Sequence, residues 1–175
     1  MRYLITGGAG FIGGALIRKL ISNRKNIVFN LDKLGYASDL ESIDNCLKIN
    51  NFGNYTFLNI DLENKESIYE AIKKSQPDII MHLAAESHVD RSIDDPSHFL
   101  KSNVFGTFNL LEVAKEYWSN LEHERKNNFR FHHISTDEVY GSLGEKGMFD
   151  EDTPYDPRSP YSATKASSDH LVRAW

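Results

Sequence analysis

Met1-Arg2-Tyr3-Leu4-Ile5-Thr6-Gly7-Gly8-Ala9-Gly10-Phe11-Ile12-Gly13 opens the chain and decides its architecture. Arg2 to Thr6 read as a short strand, the glycines break it, and Phe11-Ile12 starts a segment with helical periodicity. A Gly-rich turn at that junction lets backbone N–H groups at the helix N-terminus face an anion. The spacing is G-x-x-G-x-x-G, one residue longer than G-x-G-x-x-G. One glycine permits the tight turn, one lets phosphates approach, and one lets helix and strand pack closely. Alone, such a turn is weak evidence, since a plain strand-to-helix connection can also be rich in glycine.

The same alternation continues down the chain. β-rich runs near 2–6, 27–31, 55–60, 78–83 and 129–135 are separated by helical patterns near 11–22, 39–49, 65–75, 97–119 and 160–175. This predicts parallel βαβ units in a doubly wound α/β sheet of order 3-2-1-4-5, with the fifth strand at an edge. Ser38-Asp39-Leu40-Glu41 has the form of a capping box, Pro77 stops the third helix, and Ser159-Pro160 offers an N-cap followed by proline at the first helical position. The 97–119 segment carries two apolar stripes, Val104, Phe108, Leu111, Trp118 and Phe105, Leu110, Val113, Tyr117. One can cover the sheet; the other calls for a neighbouring helix or a homodimer interface.

Bulk properties exclude several classes. Hydrophobic residues make up 40% and charged residues 26%, an ordinary globular balance that argues against a disordered chain. A net charge of -5 gives no basic field for nucleic acid. No run of eighteen apolar residues and no signal-like N-terminus is present, so no membrane association is expected. The single cysteine, Cys46, has no disulfide or zinc partner in the sequence and agrees with a cytoplasmic protein.

Asp32 ends the second predicted strand 19 residues after Gly13, where a carboxylate would bond the ribose hydroxyls of a dinucleotide and repel a 2′-phosphate. That favours NAD over NADP, although Lys33 stands beside it. Asp61 and Leu83-Ala84-Ala85 fall at the ligand-binding ends of the third and fourth strands. Tyr161 and Lys165, four apart, share one helix face. An ammonium there is expected to lower the phenol pKa, making Tyr161 a base for a hydroxyl proton. Ser135-Thr136-Asp137-Glu138-Val139-Tyr140-Gly141 follows the fifth strand. Its adjacent acids can divide donor and acceptor roles, or form a solvated acidic turn. His82, His132 and His133 lack the paired spacing of metal ligands and read as structural; no metal is expected.

These segments, with Leu31-Asp32-Lys33-Leu34-Gly35-Tyr36-Ala37, Leu83-Ala84-Ala85-Glu86-Ser87-His88-Val89-Asp90-Arg91-Ser92 and Tyr161-Ser162-Ala163-Thr164-Lys165, resemble the extended short-chain dehydrogenases. Within them the likeness is to the branch that dehydrates nucleotide sugars. It covers essentially the whole chain; Gly35, where threonine is frequent, and the extra Gly14 are small departures. The resemblance implies a Rossmann-like NAD-binding domain over residues 1–175, with further strands and a substrate domain beyond Trp175. A chain without them is expected to be inactive alone. It implies NAD lined by Gly7, Gly10, Phe11, Ile12, Gly13, Asp32, Lys33, Leu34, Asp61, Leu62, Leu83, Ala84, Ala85, Ser102, Tyr161 and Lys165. It implies dTDP-glucose or a related nucleotide sugar as substrate, held by Ser87 and Thr136, and a homodimer. Related epimerases usually carry small neutral residues in place of Asp137-Glu138, so the acidic pair implies dehydration. In the implied cycle Tyr161 is the base for oxidation at C4, Glu138 removes the C5 proton, Asp137 protonates the departing C6 hydroxyl, and hydride returns to C6. A UDP- or CDP-sugar dehydratase, an epimerase, and a non-catalytic NAD-binding module are the competing readings.

Overall fold

The computed structural model describes residues 1–49 and 52–175. Five parallel strands, β1 (Arg2–Thr6), β2 (Ile27–Asp32), β3 (Tyr55–Asn59), β4 (Ile79–His82) and β5 (Arg130–His133), form one sheet in the order β3-β2-β1-β4-β5. The helices are α1 (Phe11–Ile21), α2 (Glu41–Ile49), α3 (Lys65–Ser75), α4 (Val89–Asp94), α5 (Pro96–Phe99), α6 (Gly106–Ser119), α7 (His123–Asn128) and α8 (Pro160–Ala174).

Alternation along the central strands builds two cores. Leu4, Phe29, Leu31 and Ile80 pack on one face with Ile68, Ala71 and Ile72 of α3 and Leu110, Val113 and Ala114 of α6. Ile5 and Val28, one residue out of step, pack on the other face with Ile17 and Ile21 of α1 and Ile43 of α2. Strand order, helix faces and the edge position of β5 are as the sequence pattern predicts.

Several local expectations need correction. The capping box at Ser38 does not form: Asp39 Oδ1 accepts from Glu41 N–H at 2.7 Å, while the Ser38 hydroxyl donates to Asp32. The 97–119 segment is not one regular helix. A π-helical stretch, Leu100–Phe105, lies between α5 and α6. The wider turn carries Ser102 and Asn103 into the interior. Helices α4 and α7, six residues each, are too short to show periodicity. Elsewhere the cues hold: Gln76 is left-handed (φ 44) before Pro77, and Ser159 caps α8 reciprocally with Ser162. Of the two stripes, Leu110 and Val113 of one pack on the sheet, with Tyr117 against Phe129 and Phe105 exposed, while in the other Leu111 is buried, Phe108 packs on Trp175 within the chain and Trp118 stays exposed.

His82 closes the centre. It is 1% exposed. The Thr107 hydroxyl donates to Asn103 O, so its oxygen accepts from His82 Nε2–H at 2.8 Å. Thr6 Oγ1 receives Ala84 N–H and donates to His82 Nδ1 at 2.7 Å. A neutral imidazole thus joins β1, β4 and α6. Burial, then the charges of His133 and Lys165, hold its pKa well below 6.5. The unfolded chain binds this proton more readily than the folded one. The stability contributed is therefore complete above pH 6.5 and declines as pH falls from 6.5 toward the folded value. Denaturant titrations from pH 7 to pH 5 should show the wild type losing up to about 1.4 kcal/mol per pH unit more than His82→Gln. Parallel pH profiles for the two proteins would contradict this role.

Candidate active site

The sheet divides between β1 and β4: β1 leads to α1 on one face, while β4 leads toward α6 on the other. Such a division opens a crevice at the C-terminal strand ends. The glycine turn forms its floor. Gly7 has φ +72, and a Cβ on it would lie 2.5 Å from Ala84 N. A Cβ on Gly13 would collide with the Gly7 carbonyl. The turn therefore rests on the exit of β4, and α1 starts against β1, only because both positions lack side chains. Gly10 is less confined, a Cβ on it meeting only the Gly7 carbonyl, in a tight contact at 3.3 Å. It is the N-cap of α1, has no side-chain cap, and no acidic residue follows in the first turn. The positive end of the helix thus faces the crevice unopposed.

The cleft encloses about 440 Å³. Gly7, Gly10, Phe11, Ile12, Gly13, Asp32, Lys33, Asp61, Leu62, Leu83, Ala84, Ala85, Ser87, Ser102, Tyr161 and Lys165 line it, all anticipated from the sequence. Leu31, Gly35, Tyr36, Ala37, Ser38, Ile60, Glu86 and Ile134 line it too without having been assigned to the site, as does Ser135, whose place after the fifth strand puts it at the ligand-facing edge. Leu34 was expected there but is not among the lining residues. It takes a positive φ of 60, and its N–H donates to Asp32 Oδ1 at 2.8 Å. Asp137 and Glu138, on a short 3-10 turn (Asp137–Tyr140), and Thr136, its N-cap, also lie outside the cleft lining, at its Tyr161 end.

Asp32 is 9% exposed and accepts from Ala9 N–H at 3.0 Å, Leu34 N–H and the Ser38 hydroxyl. A carboxylate has about four lone-pair positions, so one remains. Lys33 is drawn away from it, to Glu86 at 3.4 Å and Asp61 at 4.0 Å. At the rim Tyr36 lies under the Arg91 guanidinium, 3.9 Å from ring centroid to Cζ.

At the opposite end α8 presents Tyr161 and Lys165. The free N–H of Tyr161, in the first turn, donates to Ser92 Oγ at 3.1 Å, tying α8 to α4. Burial raises the Tyr161 phenol; a hydrogen bond with Thr136 opposes this, and the charges of Glu138, Asp137 and Asp169 raise it further. The expected lowering by Lys165 is absent. Its ammonium instead donates to the Ile134 carbonyl at 2.6 Å, so three carboxylates dominate the field at the phenol. Burial brings Lys165 itself down to about 8, against the opposing charge of Asp169.

Sequence reasoning missed Asn103. Its Oδ1 accepts Glu86 N–H at 2.8 Å, and its Nδ2 donates to Glu86 O and to Thr164 Oγ1 at 3.0 Å. One buried amide therefore clamps the loop after β4 to the helix carrying Lys165. A polar residue inside an apolar segment was its only signal. Among the described residues no cluster of three or more His, Cys, Asp or Glu could hold a metal, and no helix is long and apolar enough to cross a membrane.

Comparison with known proteins places this geometry. The chain is 53% identical to dTDP-glucose 4,6-dehydratase of Salmonella typhimurium, matching 100% of this chain and 50% of that protein. It is 54% identical to a probable dTDP-glucose 4,6-dehydratase of Sinorhizobium fredii, over 100% of this chain and 49% of the relative. The chain thus spans about half the length of the curated relatives it matches. The crystal structure of the Bacillus anthracis dTDP-glucose 4,6-dehydratase in complex with NAD superposes with a TM-score of 0.81 at 37% identity, covering 99% of this chain and 50% of that one. A Thermus thermophilus UDP-glucose 4-epimerase complex with NAD gives 0.83 at 31%, with 99% and 50% covered. The family model described as GDP-mannose 4,6 dehydratase matches residues 4–175, so the cleft between β1 and β4, with Tyr161 and Lys165 at its end, belongs to a chain of that family.

Proposed function

We propose that residues 1–175 are the NAD-binding part of a nucleotide-sugar 4,6-dehydratase, a lyase acting on dTDP-glucose in the complete protein. The observation that carries this reading is the placing of Asp137 and Glu138 beside Tyr161, at the end of a cleft floored by a Cβ-free glycine turn. The residues fit a dinucleotide. The uncapped N-terminus of α1 suits a pyrophosphate, Asp32 keeps an acceptor position for a ribose, and Phe11 and Ile12 expose 95% and 64% of their surface at the cleft. When bound, NAD supplies a positively charged ring that takes hydride and, once reduced, returns it.

The protein's own groups handle the protons. Lys165, in the same cleft with its ammonium on the Ile134 carbonyl, would hold the nicotinamide ribose. Tyr161, its phenol held protonated by burial and the carboxylates around it, takes the proton of the sugar C4 hydroxyl once the positive nicotinamide ring beside it would favour the phenolate. With a carbonyl at C4, the C5 hydrogen is acidic and Glu138 removes it. Asp137 delivers a proton to the C6 oxygen, which leaves as water, and as hydride returns to C6 Glu138 gives a proton back to C5. Thr136, hydrogen-bonded to Tyr161, and Ser87 at the cleft wall hold the sugar. We further propose a cytoplasmic homodimer that meets neither nucleic acid nor membrane. The unpaired Cys46 supports a reducing compartment, and exposed Phe105 on the π-helical stretch supports pairing near α6.

In the complete protein, Glu138→Gln should lower kcat by roughly a hundredfold or more while leaving NAD affinity near wild type. It should also stop exchange of the C5 hydrogen with deuterated solvent. Asp137→Asn should retain that exchange and lose water elimination. Unchanged turnover and C5 exchange in Glu138→Gln would remove the assigned role.

Asp32 yields a cofactor preference. With its carboxylate inside the cleft and Lys33 drawn to Glu86, a 2′-phosphate meets negative charge. NAD should bind about tenfold or more tighter than NADP by calorimetry, on the order of 1.4 kcal/mol. Equal or tighter binding of NADP would rule the reading out.

A further inference from the structure

One buried group near the site is used by none of the steps above. Asp169 lies on α8, four residues after Lys165 and eight after Tyr161, a spacing that sets all three along one side of the helix. It is 5% exposed. Its Oδ1 accepts from His133 Nε2–H at 3.0 Å; its Oδ2 accepts from the Ser135 hydroxyl at 2.5 Å and the Tyr155 hydroxyl at 3.0 Å. His133 ends β5, Ser135 immediately precedes Thr136-Asp137-Glu138, and Tyr155 belongs to the loop that returns the chain to α8.

We propose that Asp169 is a positioning residue of the site: its single carboxylate fixes the strand end that presents Thr136, Asp137 and Glu138 against the helix face that presents Tyr161 and Lys165. Two bodies carry the reacting groups, and their relative position has to hold within a fraction of an ångström for proton transfer. Lys165 to the Ile134 carbonyl is one tie between them. Asp169 adds three hydrogen bonds one helical turn further along.

The same carboxylate acts electrostatically on Lys165. Burial pulls Asp169 upward, but bonds from His133, Ser135 and Tyr155 together with the His133 charge more than offset it, leaving Asp169 below the ordinary carboxylate range. It is thus negative wherever the enzyme works, and its charge opposes the burial that brings Lys165 down to about 8. The other titratable groups around the lysine are Tyr161 on α8, His82 on β4, His133 on β5, and Asp137 and Glu138 beside the phenol. His82 is kept neutral by burial, so Asp169 is the buried negative charge that acts on Lys165. The lysine titration thus reads the charge of Asp169, and the turnover of a variant that keeps the charge reads the positioning.

This inference rests on the cofactor-site reading, and its test separates the two. The complete protein, labelled with ¹³C at lysine Cε, is titrated by NMR without cofactor or sugar, the Lys165 signal being assigned by its loss in Lys165→Arg. In the wild type Lys165 should titrate near 8. In Asp169→Asn it should titrate about one unit lower. The alkaline limb of kcat should move the same way, with KM for the sugar nucleotide changing less than kcat. Asp169→Glu keeps the charge but cannot meet Ser135 and His133 in the same geometry. Its lysine should titrate as in the wild type while kcat falls roughly tenfold. If Asp169→Asn does not fold, the Glu variant decides: wild-type kcat there overturns the positioning role. An unshifted Lys165 in a folded Asn variant overturns it as well. A protein that dehydrates no nucleotide sugar yet shows the lysine shift would refute the function reading and leave this one standing.

Discussion

The absence of a Cβ at Gly7 and Gly13 is the constraint on which the rest of the structure depends. Gly7 lies against the backbone of Leu83 and Ala84, and Gly13 against Gly7 itself. Those approaches hold the β1–α1 turn at the exit of β4 and aim the start of α1 into the crevice. A side chain at either position would lift the helix from the sheet and separate the anion-facing backbone from Asp32, which is tied to the same turn through Ala9 N–H. The two apolar cores secure the sheet beneath, but the turn decides where a ligand can lie.

The Tyr161 end of the cleft is organised differently, by polar groups at the junction of α8 with the sheet. Asn103 holds Thr164, Ser92 holds the Tyr161 backbone, the Ile134 carbonyl holds the Lys165 ammonium, and Asp169 gathers His133, Ser135 and Tyr155. Each is short-range and directional, which suits a task where alignment matters more than cohesion. Burying a lysine costs stability, and the carbonyl and the Asp169 charge offset part of that cost.

How much of this the sequence carried depends on the kind of interaction. Alternating periodicity sufficed for five strands, their order and the edge position of β5, because apolar burial leaves its period in the residues. Most of the cleft lining was legible through the glycine turn and the strand-end positions. What was not legible depends on three-dimensional closure. The π-helical stretch that turns Ser102 and Asn103 inward has no periodic signature of its own. The ammonium of Lys165 faces a main-chain carbonyl, which no side-chain pattern reveals, so the spacing of Tyr161 and Lys165 suggested a lowered phenol pKa where burial and three carboxylates raise it. Asp169 could have been found, since its offsets of four and eight place it on the face of Tyr161 and Lys165, but only by asking what else shares that face.

The central claim is dehydration of a hexose with the cofactor regenerated in each turnover. Its most direct test follows one hydrogen. The complete protein is given dTDP-glucose bearing deuterium at C4 with catalytic NAD, and the product is read by NMR and mass spectrometry. The account predicts a 4-keto-6-deoxy sugar with deuterium at C6 and no accumulation of NADH. Deuterium retained at C4 of an epimerised sugar, or NADH formed in step with an oxidised hexose, would contradict it.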